Sequence, residues 1–110
     1  MPVSNSFADF VIDQLAGIGR INGRRMFGGM GIYCDGLFFA LIADDVLYFK
    51  VDDSNLPDFE KIGAKPFQPY GEEGQTMSYY EILADILEDR DELAVWAEKA
   101  IAVAGRAKKK

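Results

Sequence analysis

A two-residue Asp-Gly step at positions 35–36 limits the folds open to this chain more than any other part of its sequence. It separates two apolar runs, residues 31–34 and 37–42. A type I′ hairpin turn needs positive φ at both central positions, and Asp-Gly is a preferred pair there. The Asp44-Asp45 pair separates the second run from a third, residues 46–51. We therefore predict a meander of three or four antiparallel strands between residues 20 and 51.

Helical patterns precede and follow this meander. Ser6 is expected to cap a first helix, with Asp9 complementing its N-terminus, and Gly17 and Gly19 are expected to end it. The apolar residues of this segment recur at helical spacing. The predicted buried face of this first helix comprises Phe7, Phe10, Val11, Leu15 and Ile18.

A shorter second helix is predicted after Asp53 or Ser54, with Pro57 in its first turn and Gly63 as its stop. Its apolar side comprises Leu56, Phe59 and Ile62. Residues 67–70 and 76–83 predict a second hairpin around a loop at 71–75, and residues 84–88 fit a helical turn. Asp89 is expected to cap a last helix. The apolar face of that helix comprises Leu93, Trp96, Ala97, Ala100, Ile101 and Ala104.

The predicted order is helix, three or four strands, helix, two strands, helix. Long helices at both ends with antiparallel strands between them favour the α+β class, as a two-layer sandwich. The 110 residues match the size of one domain, and only residues 1–5 and 106–110 are expected to be loose ends.

Two neighbouring strands are predicted to be apolar on both faces. Residues 37–42 are apolar at every position, and in residues 46–51 only Lys50 is charged. Helices can cover one face of so small a sheet, so the other face needs cover from sheet curvature, loops or a second subunit. We predict a homodimer on this ground.

The charge distribution limits where the protein could contact a nucleic acid. The net charge is −6, and residues 28–105 alone hold sixteen acidic and five basic residues. An acidic body repels phosphate backbones, so a nucleic-acid contact would have to use Arg20, Arg24 and Arg25 or the basic end at 106–110.

Composition also indicates the compartment. Cys34 is the single cysteine, so no internal disulfide can form. The first residues lack the basic and apolar regions of a signal peptide, and no apolar run approaches the roughly 20 residues that span a bilayer. We expect a cytoplasmic protein with no membrane contact.

The sequence offers little catalytic chemistry. It contains no histidine, which removes the Ser-His and Cys-His nucleophile systems and the usual zinc ligands. Gly28 and Gly29 do not open a phosphate loop, because a strand is predicted to follow where a helix is needed. Cys34 is expected to be a small packed residue. We expect no metal, no cofactor and no enzymatic activity.

The adjacent arginines Arg24 and Arg25 are the most informative polar pair. Neighbouring residues on a strand point to opposite faces, so if Arg25 faces the core it needs a carboxylate, and Glu81 is a plausible partner. Arg24 with Arg20 is either a solvated edge or a recognition site for carboxylate or phosphate. The candidate binding residues are Arg20, Arg24, Arg25, Met26, Phe27, Gly28, Gly29, Tyr79, Tyr80 and Glu81.

Two strings identify a family resemblance. Arg-Arg-Met-Phe-Gly-Gly at 24–29 and Met-Ser-Tyr-Tyr-Glu at 77–81, with Asp35-Gly36 and residues 39–45 between them, resemble the N-terminal domain of TfoX/Sxy proteins. The resemblance runs from about residue 10 to 104. It implies the order α-β(3)-α-β(2)-α, as in secretion chaperones, and a non-enzymatic role in regulating bacterial competence genes. Family members also carry a second, helical domain, to which no part of these residues corresponds.

Three functions from different classes follow. The first is a regulatory module that acts on transcription through a protein partner. The second is direct nucleic-acid binding through the arginine cluster and the lysine-rich end. The third is a small-anion binder or enzyme built on Arg24, Arg25, Tyr79, Tyr80 and Glu81.

Overall fold

The computed structural model describes residues 5–26, 29–67 and 79–108. In chain order its elements are α1 Asn5–Leu15, β1 Ile21–Met26, β2 Gly29–Cys34, β3 Leu37–Ala43, β4 Val46–Lys50, α2 Leu56–Lys61, β5 Tyr79–Glu81, α3 Ala84–Glu88 and α4 Arg90–Lys108. A short 3₁₀ turn, Ala16–Ile18, follows α1. The α+β class predicted from the sequence is confirmed.

The five strands form one antiparallel sheet in the order β1-β2-β3-β4-β5. Four strands therefore precede α2, one more than in the α-β(3)-α-β(2)-α order. The first of these strands, β1, carries the adjacent arginines. Of the second predicted hairpin, β5 is present and the Phe67 N–H donates to the Tyr79 carbonyl at 2.8 Å. The rest of its first arm and its loop lie outside the described residues.

Two hairpin turns share one backbone geometry, which was predicted for the first of them. Asp35 and Gly36 both have positive φ, +50° and +86°, as a type I′ turn requires. Asp44 and Asp45 also have positive φ, +52° and +57°, so this turn holds two left-handed residues without a glycine. Each turn spaces its flanking strands by two residues, which fixes their antiparallel register.

The helices form one layer against one face of the sheet. Helix α4 packs on β3 and β4, while α1 packs on β1 and α4. Phe59 of α2 lies with its ring 4.7 Å from Trp96 and 5.8 Å from Tyr80, which ties α2 to α4 and to the β5 edge. The largest fully buried side chains of this core are Phe39, Phe49, Phe59, Leu15, Ile32, Ile42, Leu47, Leu93 and Val11.

A β-bulge at Phe39 changes which side chains of β3 face that core. Ile32 pairs with Ala40 and Tyr33 with Phe38, which leaves Phe39 as an extra residue. Because a bulge sets two residues against one, Phe39 and Ala40 are both buried. Residues 37–42 therefore do not alternate strictly between the two faces of the sheet.

Several boundaries and faces differ from the sequence predictions. Helix α1 begins at Asn5, so Ser6 lies in its first turn. Phe10 is 41% exposed although it was predicted to face the core, and Ala8 is buried there instead. Ile62 is exposed rather than packed. Asp89 does cap α4, because its Oδ1 accepts from the N–H groups of residues 91 and 92.

Helix α4 extends further than predicted. It continues through Gly105 to Lys108, and Arg106 donates to Asp52 at 3.1 Å and to Ser54 at 2.7 Å. Three of the five residues expected to form a loose end, 106–108, are therefore helical. Within the described segments, no helix has the length and apolar character needed to cross a membrane.

The link from β4 to α2 is fixed by a buried amide. Asn55, not Asp53 or Ser54, is the residue that precedes α2, and it is 1% exposed. Its Oδ1 accepts from the Asp52 N–H at 2.8 Å, and its Nδ2 donates to the Lys50 carbonyl at 3.1 Å. Both polar ends of the amide are satisfied, as burial requires.

Candidate functional site

The predicted arginines lie along one outer edge of the sheet. Arg20 precedes β1, Arg24 and Arg25 lie within it, and all three are exposed. Strand β1 pairs only with β2 among the described strands. No described residue offers a hydrogen-bond or ion-pair partner to the side chains of Arg20 and Arg24, whereas Arg90, Lys99 and Arg106 each bond a carboxylate. This basic edge stands out on an acidic protein.

The tyrosines and Glu81 lie on the opposite side of the sheet, on β5, whose outer side pairs with residues 65–67. Tyr79, Tyr80 and Glu81 form β5, and β2, β3 and β4 stand between them and β1. At about 4.8 Å per strand, β1 and β5 are separated by roughly 19 Å. The structure therefore divides the predicted site residues into two groups instead of bringing them together.

The proposed Arg25–Glu81 ion pair is wrong for two reasons. Arg25 pairs with Met30, whose row faces the helices, while Glu81 pairs with Tyr48 on the other face. Arg25 also remains exposed, because an edge position reaches solvent even on the helix side. The Glu81 carboxylate instead accepts the Lys65 N–H at 2.8 Å.

The glycine-rich string connects the first two strands. Met26 ends β1 and pairs with Gly29, which begins β2. Phe27 and Gly28 lie outside the described residues. A strand follows Gly29, as predicted, so the geometry of a phosphate loop at a helix N-terminus is absent from this described strand.

The sheet face away from the helices carries a band of aromatic rings that sequence analysis did not assemble. Tyr33 and Phe38 stack with centroids 5.1 Å apart, and Phe38 lies 5.9 Å from Tyr79. Lys50 Nζ sits 5.1 Å from the centre of the Tyr79 ring. Among the described segments no helix covers this side, which we call the open face. The bulge hid this band, because it turns Phe38 and Leu41 to the same side against the expected alternation.

A second row crosses the open face from edge to edge. Its paired residues are Arg24, Gly31, Leu41, Tyr48 and Glu81, one from each strand in order. Side chains of directly paired residues share a face. The row therefore has a cation at one end, apolar and aromatic side chains in the middle, and a carboxylate at the other end.

Tyr79 and Tyr48 on the open face are neutral at physiological pH. Burial raises the pKa of Tyr79 to about 12, and nearby Tyr33 adds to the shift. Burial also raises the pKa of Tyr48, and the carboxylates of Glu81 and Asp44 raise it further. Such phenols can donate hydrogen bonds, but they do not supply the base that works near neutral pH.

Cys34 and the carboxylates show no reactive arrangement. Cys34 is buried, as predicted, and both its burial and the neighbouring Asp35 raise the pKa of its thiol. A raised pKa keeps the sulfur protonated and weakly nucleophilic. Across the described segments, no three Cys, Asp or Glu side chains converge in a way that could hold a metal ion.

A shallow cleft of about 200 Å³ lies between α2 and α4. Ile62, Val95 and Trp96 form its apolar part, and the Lys99–Asp58 ion pair at 2.8 Å crosses it. Val95 is 52% exposed and Trp96 is only partly buried. Ile62 and Trp96 were predicted to lie on the buried faces of α2 and α4, and this cleft was therefore not predicted from the sequence.

The fold and its surfaces define the class of the protein. It is an α+β domain whose helices cover one face of a five-stranded sheet, with a basic edge and an aromatic open face. The chain belongs to the family of TfoX N-terminal domains, whose model matches residues 13–104. The resemblance inferred from the two strings is therefore confirmed.

A relative supports the same membership. The chain is similar to the DNA transformation protein TfoX1 of Aliivibrio fischeri (strain ATCC 700601 / ES114), with 35% identity over 51 residues. This match covers 46% of the chain and 24% of the relative, so the shared segment spans about a quarter of that protein.

Proposed function

We propose that this chain is a non-catalytic regulatory domain that acts on competence-gene transcription through a protein partner docked at the β1 edge. One observation carries the proposal: β1 is an outer strand of the sheet and bears exposed arginines on an otherwise acidic molecule. The family membership and the relative's name, a DNA transformation protein, support the biological context.

An outer strand is well suited to such docking. Its outward N–H and C=O groups can pair with an added strand, and such pairing is a common mode of peptide recognition. Arginine is enriched at protein interfaces, and its planar guanidinium binds carboxylates with two parallel hydrogen bonds. We therefore expect the partner to present an extended segment with acidic side chains.

The order of the strands argues against the competing enzyme hypothesis. That hypothesis requires an arginine, a tyrosine and a glutamate at one substrate, yet Arg24 lies on β1 and Glu81 on β5. Groups separated by roughly 19 Å cannot act on the same reacting atom, because proton transfer needs hydrogen-bond reach. This separation supports a binding role over a catalytic one.

Capture from cells induced for competence tests the proposal. The immobilised wild-type chain is expected to recover a transcription-associated protein. A double variant, Arg20→Glu with Arg25→Glu, is expected to recover at least about five-fold less of that protein. The matched control is Lys61→Glu with Lys65→Glu, which changes the same charge at exposed positions near the β5 edge. Equal recovery by all three proteins would contradict docking at β1.

A salt titration separates this proposal from direct nucleic-acid binding. Labelled duplex DNA is added to the purified chain at low and at physiological salt. Phosphate contacts by the arginines would give binding that weakens steeply with salt and disappears in the Arg20→Glu, Arg25→Glu variant. We expect no such binding, because the net charge of −6 opposes it. Steep salt-dependent binding would replace the protein partner by DNA.

A further inference from the structure

We propose that the open face of the sheet is a self-complementary interface on which a second copy of this chain docks face to face, with Arg24 of each copy paired to Glu81 of the other. This inference concerns the open face rather than the outward backbone groups of β1, shares only Arg24 with the basic edge, and does not depend on the protein partner proposed above.

The chemistry of the open face argues for a protein surface as its occupant. Leu41 and Tyr48 lie at the centre of the cross-strand row, and Tyr33 and Phe38 stack beside them. These side chains are partly exposed and no described helix lies over them, while the Phe67 ring packs with its centre 4.9 Å from that of Tyr48 and so belongs to the same surface. Clustered aromatic and aliphatic side chains rimmed by charges are typical of protein interfaces.

The order of charges along the row selects a second copy. Arg24 lies on β1 and Glu81 on β5, with the apolar side chains between them. A two-fold axis parallel to the strands, set between two stacked sheets, brings β1 of one copy over β5 of the other. Each Arg24 then faces a Glu81 carboxylate, and the two apolar centres meet. The same surface is its own electrostatic complement.

The geometry of stacked sheets allows this contact. Sheets pack about 10 Å apart with side chains from both faces filling the gap, and long arginine and glutamate side chains can meet across it. Arg24 has no partner within the described segments. The Glu81 oxygen Oε2 accepts the Lys65 N–H, which holds the carboxylate in place and leaves its other oxygen for the guanidinium.

The size of the face sets the expected strength. Five strands at about 4.8 Å and five residues at about 3.4 Å give a plane of roughly 400 Å² per copy. The total for two copies, roughly 800 Å², is below that of stable complexes and in the range of weak, transient ones. We therefore expect a reversible dimer whose average mass falls on dilution through the micromolar range, rather than a permanent assembly.

Sedimentation velocity of the full chain over a thousand-fold range of concentration tests the inference. The wild type is expected to change from monomer to dimer. The single variants Arg24→Glu and Glu81→Arg are each expected to weaken dimerisation about ten-fold or more, because like charges then face each other at both ends of the interface. The double variant, Arg24→Glu with Glu81→Arg, is expected to restore it.

Two controls keep the outcome interpretable. Lys61→Glu on α2, an exposed change of the same charge, is expected to leave the dimer unchanged. Leu41→Lys at the centre of the face is expected to give a monomer that the double charge swap does not restore. Melting curves identify any variant that is unfolded. If Glu81→Arg does not fold, Arg24→Glu and Leu41→Lys still decide.

Three results would overturn the inference. A wild-type chain that stays monomeric at millimolar concentration has no such interface. Single variants that still form the dimer show that another surface is used. A double variant that remains monomeric while both single variants are folded excludes the face-to-face pairing of Arg24 with Glu81.

Discussion

The burial of Tyr79 at the open face makes the stability of the protein depend on pH. The Tyr79 side chain is 5% exposed, held between the Phe38 ring and the Lys50 ammonium, and its pKa rises to about 12 from an ordinary value near 10. The folded protein therefore retains the phenol proton at pH values where the unfolded chain has lost it.

The stability consequence has a definite sign. Below pH 10 this tyrosine is protonated in both states and contributes no pH dependence. Between pH 10 and 12 the unfolded chain ionises first, so the free energy of unfolding falls, by at most about 3 kcal/mol. Urea unfolding at pH 9, 10 and 11 is expected to show a steeper decline for the wild type than for Tyr79→Phe. Parallel declines would contradict this account.

Asn55 is the buried polar residue whose loss should be most costly. Asn55→Ala would leave the Asp52 N–H and the Lys50 carbonyl without their side-chain partner at the start of α2. We expect the free energy of unfolding to drop by about 2–3 kcal/mol. The neighbouring, exposed Asp53→Ala is the control and should change it by about 0.5 kcal/mol or less. Similar values for both variants would show that the amide bonds are not structural.

At the level of elements, substitutions in the two hairpin turns are expected to change stability in opposite directions. Gly36 has φ of +86°, and a Cβ placed there would meet no atom within 4 Å, so Gly36→Ala should cost about 1 kcal/mol from backbone strain alone. Asp45 occupies the corresponding position of the next turn with φ of +57°. Asp45→Gly should therefore stabilise the protein, by about 0.5 kcal/mol. Thermal unfolding midpoints that move in the same direction would refute the shared turn geometry.

Helix α4 depends on Trp96 less than full burial would imply. Complete burial would predict a loss of about 3–5 kcal/mol for Trp96→Ala. The indole is only partly buried, packs edge-on against Phe59 and donates from Nε1 to Glu92 at 3.1 Å. We expect a loss of about 2–3 kcal/mol, and Trp96→Phe should recover roughly half of it. A loss above about 5 kcal/mol in denaturant unfolding would indicate a buried position.

At the scale of the whole molecule, local sequence rules predicted the helices, strands and turns, but they did not predict how the strands are ordered in the sheet. The hairpin at Asp35-Gly36 and the cap at Asp89 follow from chemistry within a few residues, and both are present. The alternation of Arg24 and Arg25 between faces was also local. That β1 lies at one side of the sheet and β5 towards the other depends on strand order, which no single segment encodes.

The open face was missed for a related reason. Its aromatic band includes Phe38 because of an extra residue at Phe39, and nothing in an uninterrupted apolar run marks where a bulge falls. Likewise, helix α4 continues past Gly105 because a tertiary contact, that of Arg106 with Asp52, overrides a weak end signal.

The sequential order of the first four strands has a consequence for synthesis. Strands β2, β3 and β4 each pair with the strand before them and begin after two intervening residues, whereas 28 residues separate β4 from β5. Short loops close quickly, so β1 to β4 can pair while α4 is still within the ribosome. Until that helix emerges, Phe39 and Phe49 have no layer above them. The nascent half-sheet should therefore be the species that chaperones bind and that aggregates when expression is too fast.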